Sequence, residues 1–289
     1  TFQAADFDTL VDSPFEIGVH KLYEFEVLGK SHELAIWGQG NYPLDRIIQD
    51  TQKVIEVEAQ MFGGLPYDRY VFLLHLSAST YGGLEHKNCC SLIYPRLGFR
   101  PKDKYNGFMQ LVAHEFFHLW NIKRIRPQGL ERFDYEGENY TPSLWFGEGT
   151  TSYYDLLIPY RAGIYDAKWF LNELGKEIMR LQTTPGRKVQ PVIKLYRRDA
   201  NSDNCQISYY LKGELVSLLL DLLIRSRHGN ERSLDDVMRI MWQEFGQPEI
   251  GFTPEQLQAV IESVAQIELD DFFARYVDGT EELPFNEYL

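Results

Sequence analysis

The apolar periodicity of this chain changes once, near residue 104, and that change limits the folds open to it. Before it, Leu22-Tyr-Glu-Phe-Glu-Val27 alternates apolar and polar residues, as a half-buried strand requires. Leu34-Ala-Ile-Trp37 follows after a break at Gly29-Lys30, which predicts a hairpin. From Leu44 to Phe62 the apolar residues form one helical stripe, closed by Gly63-Gly64. Val71-Phe-Leu-Leu-His-Leu76 and the shorter Leu92-Ile-Tyr94 read as buried strands. Past residue 104 the spacing predicts helices over 106–121, 143–158, 166–182, 207–227, 232–245, 254–264 and 269–276. Asp166 and Thr253 stand as N-caps, Pro254 at a first helical position, and Gly229 and Gly246 after helix ends. The segments 123–141 and 183–206 read as long loops, a length usually kept for function. The expected fold class is α+β, a strand-rich lobe over 1–100 and a helical lobe over 101–289 that together make one domain.

With 289 residues, 44% of them hydrophobic and 14% aromatic, the chain can bury a sizeable core. Its 42 acidic and 29 basic side chains give a net charge of −13, which disfavours nucleic acid and anionic membranes as partners. No run approaches the ~20 apolar residues that cross a bilayer. The richest, Leu215 to Ile224, is interrupted by Asp221 and suits a core helix. Three cysteines, Cys89, Cys90 and Cys205, cannot all pair within one chain and suit a reducing compartment better than a disulfide scaffold. The chain starts at Thr1 without a visible leader, so it is expected to be a piece of a longer protein.

The chemistry centres on His114-Glu115-Phe-Phe-His118, inside the helix expected over 106–121. Residues four apart share a helix face, so both imidazoles can converge on one Zn²⁺. Glu115 beside them can accept a proton from water. Phe116 and Phe117, with Leu111, Val112, Leu119 and Trp120, would bury the helix. His32-Glu33-Leu34-Ala35 begins the same way but lacks the second histidine and lies in a strand pattern. A catalytic zinc needs a third protein ligand, and Glu148 in Leu144-Trp-Phe-Gly-Glu-Gly-Thr-Thr-Ser-Tyr153 supplies a His₂Glu set. Taken alone, Glu148 could equally be a first-turn carboxylate favoured by the helix dipole. Asp155, seven residues on, could orient a ligand histidine from behind or lie at the surface. Lys123, Arg124 and Arg126 could meet a substrate carboxylate or serve loop solvation and local ion pairs. Cys205 has no histidine placed beside it by any motif, so nothing marks it as a nucleophile.

The segment around Glu148 resembles the glutamate-ligand segment of the gluzincin aminopeptidases, the broad group that includes aminopeptidase N. Two departures narrow the resemblance. The gap from His118 to Glu148 holds 29 residues, longer than is usual in that group. The stretch His114 to Pro127, followed by Glu138-Asn-Tyr-Thr141, is similar to the glycyl aminopeptidase family, gluzincins that typically carry a PDZ domain after the catalytic domain. The resemblance implies a thermolysin-like catalytic domain with the zinc site between its two lobes, one Zn²⁺ per chain, and a PDZ domain in the parent protein. Gly82-Gly83-Leu84-Glu85-His86 resembles the Gly-x-Met-Glu-Asn segment that lines the substrate as an extended edge strand. It implies that Gly82 and Gly83 bind substrate and that Glu85 anchors its free α-ammonium, while Leu84 and His86 depart from the pattern. Tyr210-Leu-Lys-Gly213 resembles the Tyr-x-Lys-Gly of these enzymes, whose tyrosine hydrogen-bonds the oxyanion, and Tyr209 is the neighbouring alternative.

The resulting expectation is a zinc aminopeptidase acting on peptides with a free N-terminus and favouring a small first residue such as glycine. Its catalytic residues are Glu115 and Tyr210, and its metal ligands His114, His118 and Glu148. Two alternatives stay open: a zinc endopeptidase in which Glu85 is structural, and a non-catalytic peptide-binding module with a structural zinc site. Oligomeric state is not legible in the sequence.

Overall fold

The computed structural model describes residues 3–194 and 205–289, so most of the expected 183–206 loop after residue 194 lies outside the described residues. Among the described residues, five strands form one sheet in the order β1-β2-β3-β5-β4. β1 (Lys21–Val27) and β2 (Lys30–Trp37) are the expected antiparallel hairpin, but the turn is Leu28-Gly29 and Lys30 belongs to the strand, paired with Val27. Both turn residues have positive φ, 51° and 74°, which gives a two-residue turn twisted to match its strands. β2 runs parallel to β3 (Arg69–Ser77), a pairing that needs a crossover, and α2 (Leu44–Phe62) supplies it. Gly63, at φ 81°, closes that helix in the left-handed region. β3 is parallel to β5 (Cys89–Pro95), and β4 (Gly82–Glu85) pairs antiparallel with β5 at the sheet's edge.

α3 (Lys102–Phe117) starts four residues before the expected position and stops at Phe117. His118 caps it in helical geometry, its N–H bonded to the His114 carbonyl at 3.3 Å. Phe116 is fully buried, its ring centroid 4.9 Å from Tyr70 and 5.8 Å from Phe72 on β3. Phe117, also fully buried, lies 5.5 Å from Phe62 of α2. Burying two phenyl rings contributes on the order of 2–3 kcal/mol each and fixes the rotation of the helix. The apolar residues inside the histidine motif thus decide where the histidines face.

Contact density divides the chain into two compact units, each with its own core. The first takes the chain up to Leu119 together with Asp155–Asp166, and holds the sheet, α1 (Phe7–Val11), α2 and α3. The second takes Trp120–Tyr154 and Ala167–Leu289. It contains α5 (Ala167–Thr183), α6 (Tyr209–Arg227), α7 (Leu234–Met241) and α8 (Pro254–Ala265). The helical run over 143–158 resolves into a π-helical turn, Trp145–Thr150, leading into α4 (Thr151–Arg161). α6 is buried around most of its circumference, which makes it the central helix of the second unit. Asp221, the charge that interrupts its apolar run, accepts hydrogen bonds from Tyr153, Arg225 and the Leu234 N–H at 2.6–2.7 Å. A buried carboxylate satisfied by three donors is compatible with a core. No helix among the described residues is long and apolar enough to cross a membrane.

Candidate active site

His114 and His118 sit one helical turn apart, ring centroids 4.6 Å from each other and ring planes at 86°. Nδ1 of His114 lies 2.8 Å from the Asp155 carboxylate, whose other oxygen lies 3.4 Å from Nε2 of Gln110. A carboxylate partner fixes His114 with its proton on Nδ1, which leaves Nε2 as a lone-pair donor. Asp155 is therefore not a surface group. Burial pushes its carboxyl above the ordinary range, and the hydrogen bond to His114 pulls it back down.

Glu148 stands in the π-helical turn Trp145–Thr150, a geometry that widens the helix by one residue and often marks functional sites. Asn121, just past the histidine motif and fully buried, holds this turn. Its Nδ2 lies 3.0 Å from the Phe146 carbonyl, 3.1 Å from the Gly147 carbonyl and 3.1 Å from the Thr151 hydroxyl. Those bonds occupy carbonyls that a widened turn would otherwise leave without partners. Backbone lies on backbone next to Glu148: a methyl on Gly149 would stand 2.4 Å from the Gly213 Cα and 2.7 Å from the Tyr209 carbonyl. The glycines of Gly-Glu-Gly and Lys-Gly are one crossing point, where α6 meets the Glu148 turn.

His114, His118 and Glu148 form a candidate group for holding a metal ion. Two imidazoles and a carboxylate, with a second carboxylate behind the first imidazole, are a donor set suited to a divalent metal such as zinc. A second group overlaps the first: Glu85, Glu115 and His118 also converge within 4.8 Å. Glu115 is buried, and its carboxylate lies against Gly83 of the edge strand, where an added Cβ would meet Oε1 at 2.2 Å. β4 thus brings both Gly83 and Glu85 to the histidine helix, with the outer edge of the strand unpaired within the sheet. Gly82 precedes them on the same strand.

Tyr210 stands in the first turn of α6, after the N-cap Ser208, its ring stacked 4.9 Å from Tyr209 and 41% exposed. Arg124 is buried, and Arg126 donates to the Lys123 carbonyl of its own loop. His32, the imperfect copy of the motif, lies in β2, buried, with Nε2 2.8 Å from the Tyr67 hydroxyl. Sequence reasoning missed Asn121, whose only signal was a polar residue directly after an apolar helix end. It also missed Glu58 on α2, fully buried among the apolar stripe, with burial pushing its carboxyl well above the ordinary range.

The sequence profile of the M61 glycyl aminopeptidase family matches residues 107–216, the span from α3 into α6 that carries His114, Glu115, His118, Glu148 and Tyr210. Over residues 107–216 the chain is similar to that family. An aminopeptidase N family protein from Idiomarina loihiensis is similar in structure over 99% of this chain and 51% of its own, with a TM-score of 0.93 and 33% identity. A M1 zinc metallopeptidase from Deinococcus radiodurans shares the fold at a TM-score of 0.60 and 14% identity, over 92% of this chain and 52% of its own. A mutant of that enzyme bound to a Tyr-Ser-Ala substrate matches at a TM-score of 0.59 and 13% identity, over 94% and 54%. No curated protein sequence matches the chain. The chain spans about half the length of the solved structures it matches. The family match begins at residue 107, after β4, so Gly83 and Glu85 lie outside it.

Proposed function

We propose that this chain is the catalytic portion of a zinc aminopeptidase, binding one Zn²⁺ and removing the first residue of peptides with a free N-terminus. The observation that carries the reading is the position of Glu85, whose carboxylate converges with Glu115 and His118 within 4.8 Å. A carboxylate there holds an α-ammonium about one residue from the metal ligands and places the first peptide bond at the reacting centre. His114, His118 and Glu148 would hold the zinc, which when bound supplies Lewis acidity toward a carbonyl and raises the acidity of water. Glu115 takes the proton from the attacking water and returns it to the leaving amine. Its place against Gly83 keeps it beside a substrate laid along β4 as an added strand. Tyr210 donates a hydrogen bond to the oxygen on which charge develops, so its contribution is confined to the transition state. A preference for small first residues such as glycine is supported by the family likeness. Replacing Glu115 with Gln tests the assignment: turnover falls by at least about 10³-fold while zinc content stays at one per chain. Near-wild-type turnover in that variant would refute it.

A further inference from the structure

The residue after Glu85 is tied down from a distant part of the chain. Asp12 caps the C-terminal end of α1 and reaches across to the turn that joins β4 to β5. Its Oδ2 accepts a hydrogen bond from the Lys87 backbone N–H at 2.8 Å, and its Oδ1 lies 3.4 Å from Nδ1 of His86. The same turn is closed from within by the His86 N–H donating to the Cys89 carbonyl at 3.0 Å. His86 is 7% exposed, and its Nε2 has no hydrogen-bond partner among the described residues. A buried acceptor without a donor is a cost to stability, so the ring's own contacts do not account for its burial. What the arrangement provides is a second attachment point for the end of β4.

An edge strand of four residues, paired on one side only among the described residues, is weakly held by itself. Glu85 is its last residue, so freedom in the 86–88 turn passes directly into the Glu85 backbone. We propose that Asp12 is a positioning residue that clamps this turn through Lys87 and His86 and thereby fixes Glu85 for the substrate's N-terminal ammonium. The inference rests on the aminopeptidase reading of Glu85. It also gives a role to His86, one of the two departures from the edge-strand pattern: histidine carries an N–H that meets a carboxylate from α1.

The test compares Asp12→Ala, Asp12→Asn and Glu85→Gln in the zinc-loaded enzyme. The substrate is a glycyl dipeptide amide, and acetohydroxamate serves as a metal-directed inhibitor without an amine. The clamp predicts that Asp12→Ala raises KM about tenfold, with kcat within about twofold and acetohydroxamate inhibition unchanged. The Lys87 amide exchanges faster with solvent, and Asp12→Asn, which keeps an acceptor, recovers part of the loss. If Asp12→Ala leaves KM unchanged while Glu85→Gln raises it, the clamp is wrong and the amine reading stands. If neither variant moves KM, both are wrong. A loss of kcat and of acetohydroxamate affinity together with KM would mean general damage to the site and would also overturn the clamp.

Discussion

The Glu115 carboxylate lies directly on the backbone of Gly83, so that a methyl group there would stand 2.2 Å from Oε1 and 2.4 Å from Cγ. The contact joins the proposed proton-transfer group to the strand along which a peptide would lie. It also explains why glycine occupies that place.

Gly83→Ala tests this contact. The added carbon cannot be accommodated unless Glu115 swings away, and a misplaced base loses rate without disturbing the metal ligands. Turnover is expected to drop about 10²-fold or more with zinc content and thermal midpoint nearly unchanged. Steady-state kinetics beside metal analysis reads both.

Asp155 holds His114 in the tautomer a metal requires. Asp155→Asn keeps the shape but weakens the acceptor, so zinc affinity is expected to fall by roughly 10–100-fold. Competition with a chromophoric chelator measures the change directly. Equal affinities would show that the His114–Asp155 contact does not tune the site.

His32 gives a pH signature unrelated to catalysis. Its Nδ1 faces the Lys30 carbonyl at 3.0 Å, so that nitrogen carries the proton and Nε2 accepts from Tyr67. Burial pushes the ring's pKa down to about 4, against the smaller opposing effect of the Lys30 carbonyl. Between its unfolded value near 6.5 and about 4, the unfolded chain takes up a proton that the folded ring refuses. The stability is fully present above pH ~6.5 and declines as pH falls to ~4. Denaturant midpoints across that range should fall more steeply for the wild type than for His32→Gln, and parallel curves would exclude the assignment.

The parts of this protein legible in its sequence are those fixed by local pattern. The 44–62 stripe is α2 to the residue, because period and terminal glycine agree. His114 and His118 were visible because residues four apart share one helix face. Asp155 was visible only as one of two alternatives, because seven residues on a helix give a face but no partner. Asn121 and Glu58 were illegible for a related reason. Their roles depend on which carbonyls or charges another segment brings to them, and sequence distance does not encode that. The clamp from Asp12 to Lys87 crosses 75 residues and leaves no periodic trace. The Leu28-Gly29 turn was displaced by one residue because a leucine at positive φ defies the usual turn preference.

If Glu85 holds the substrate's ammonium, the enzyme requires a free N-terminus, and one comparison measures this: kcat/KM for a glycyl peptide against its N-acetylated form. The wild type is expected to favour the free peptide by about 10³-fold or more, with Glu85→Gln shrinking that preference to within roughly tenfold. Comparable cleavage of both peptides by the wild type would contradict the account.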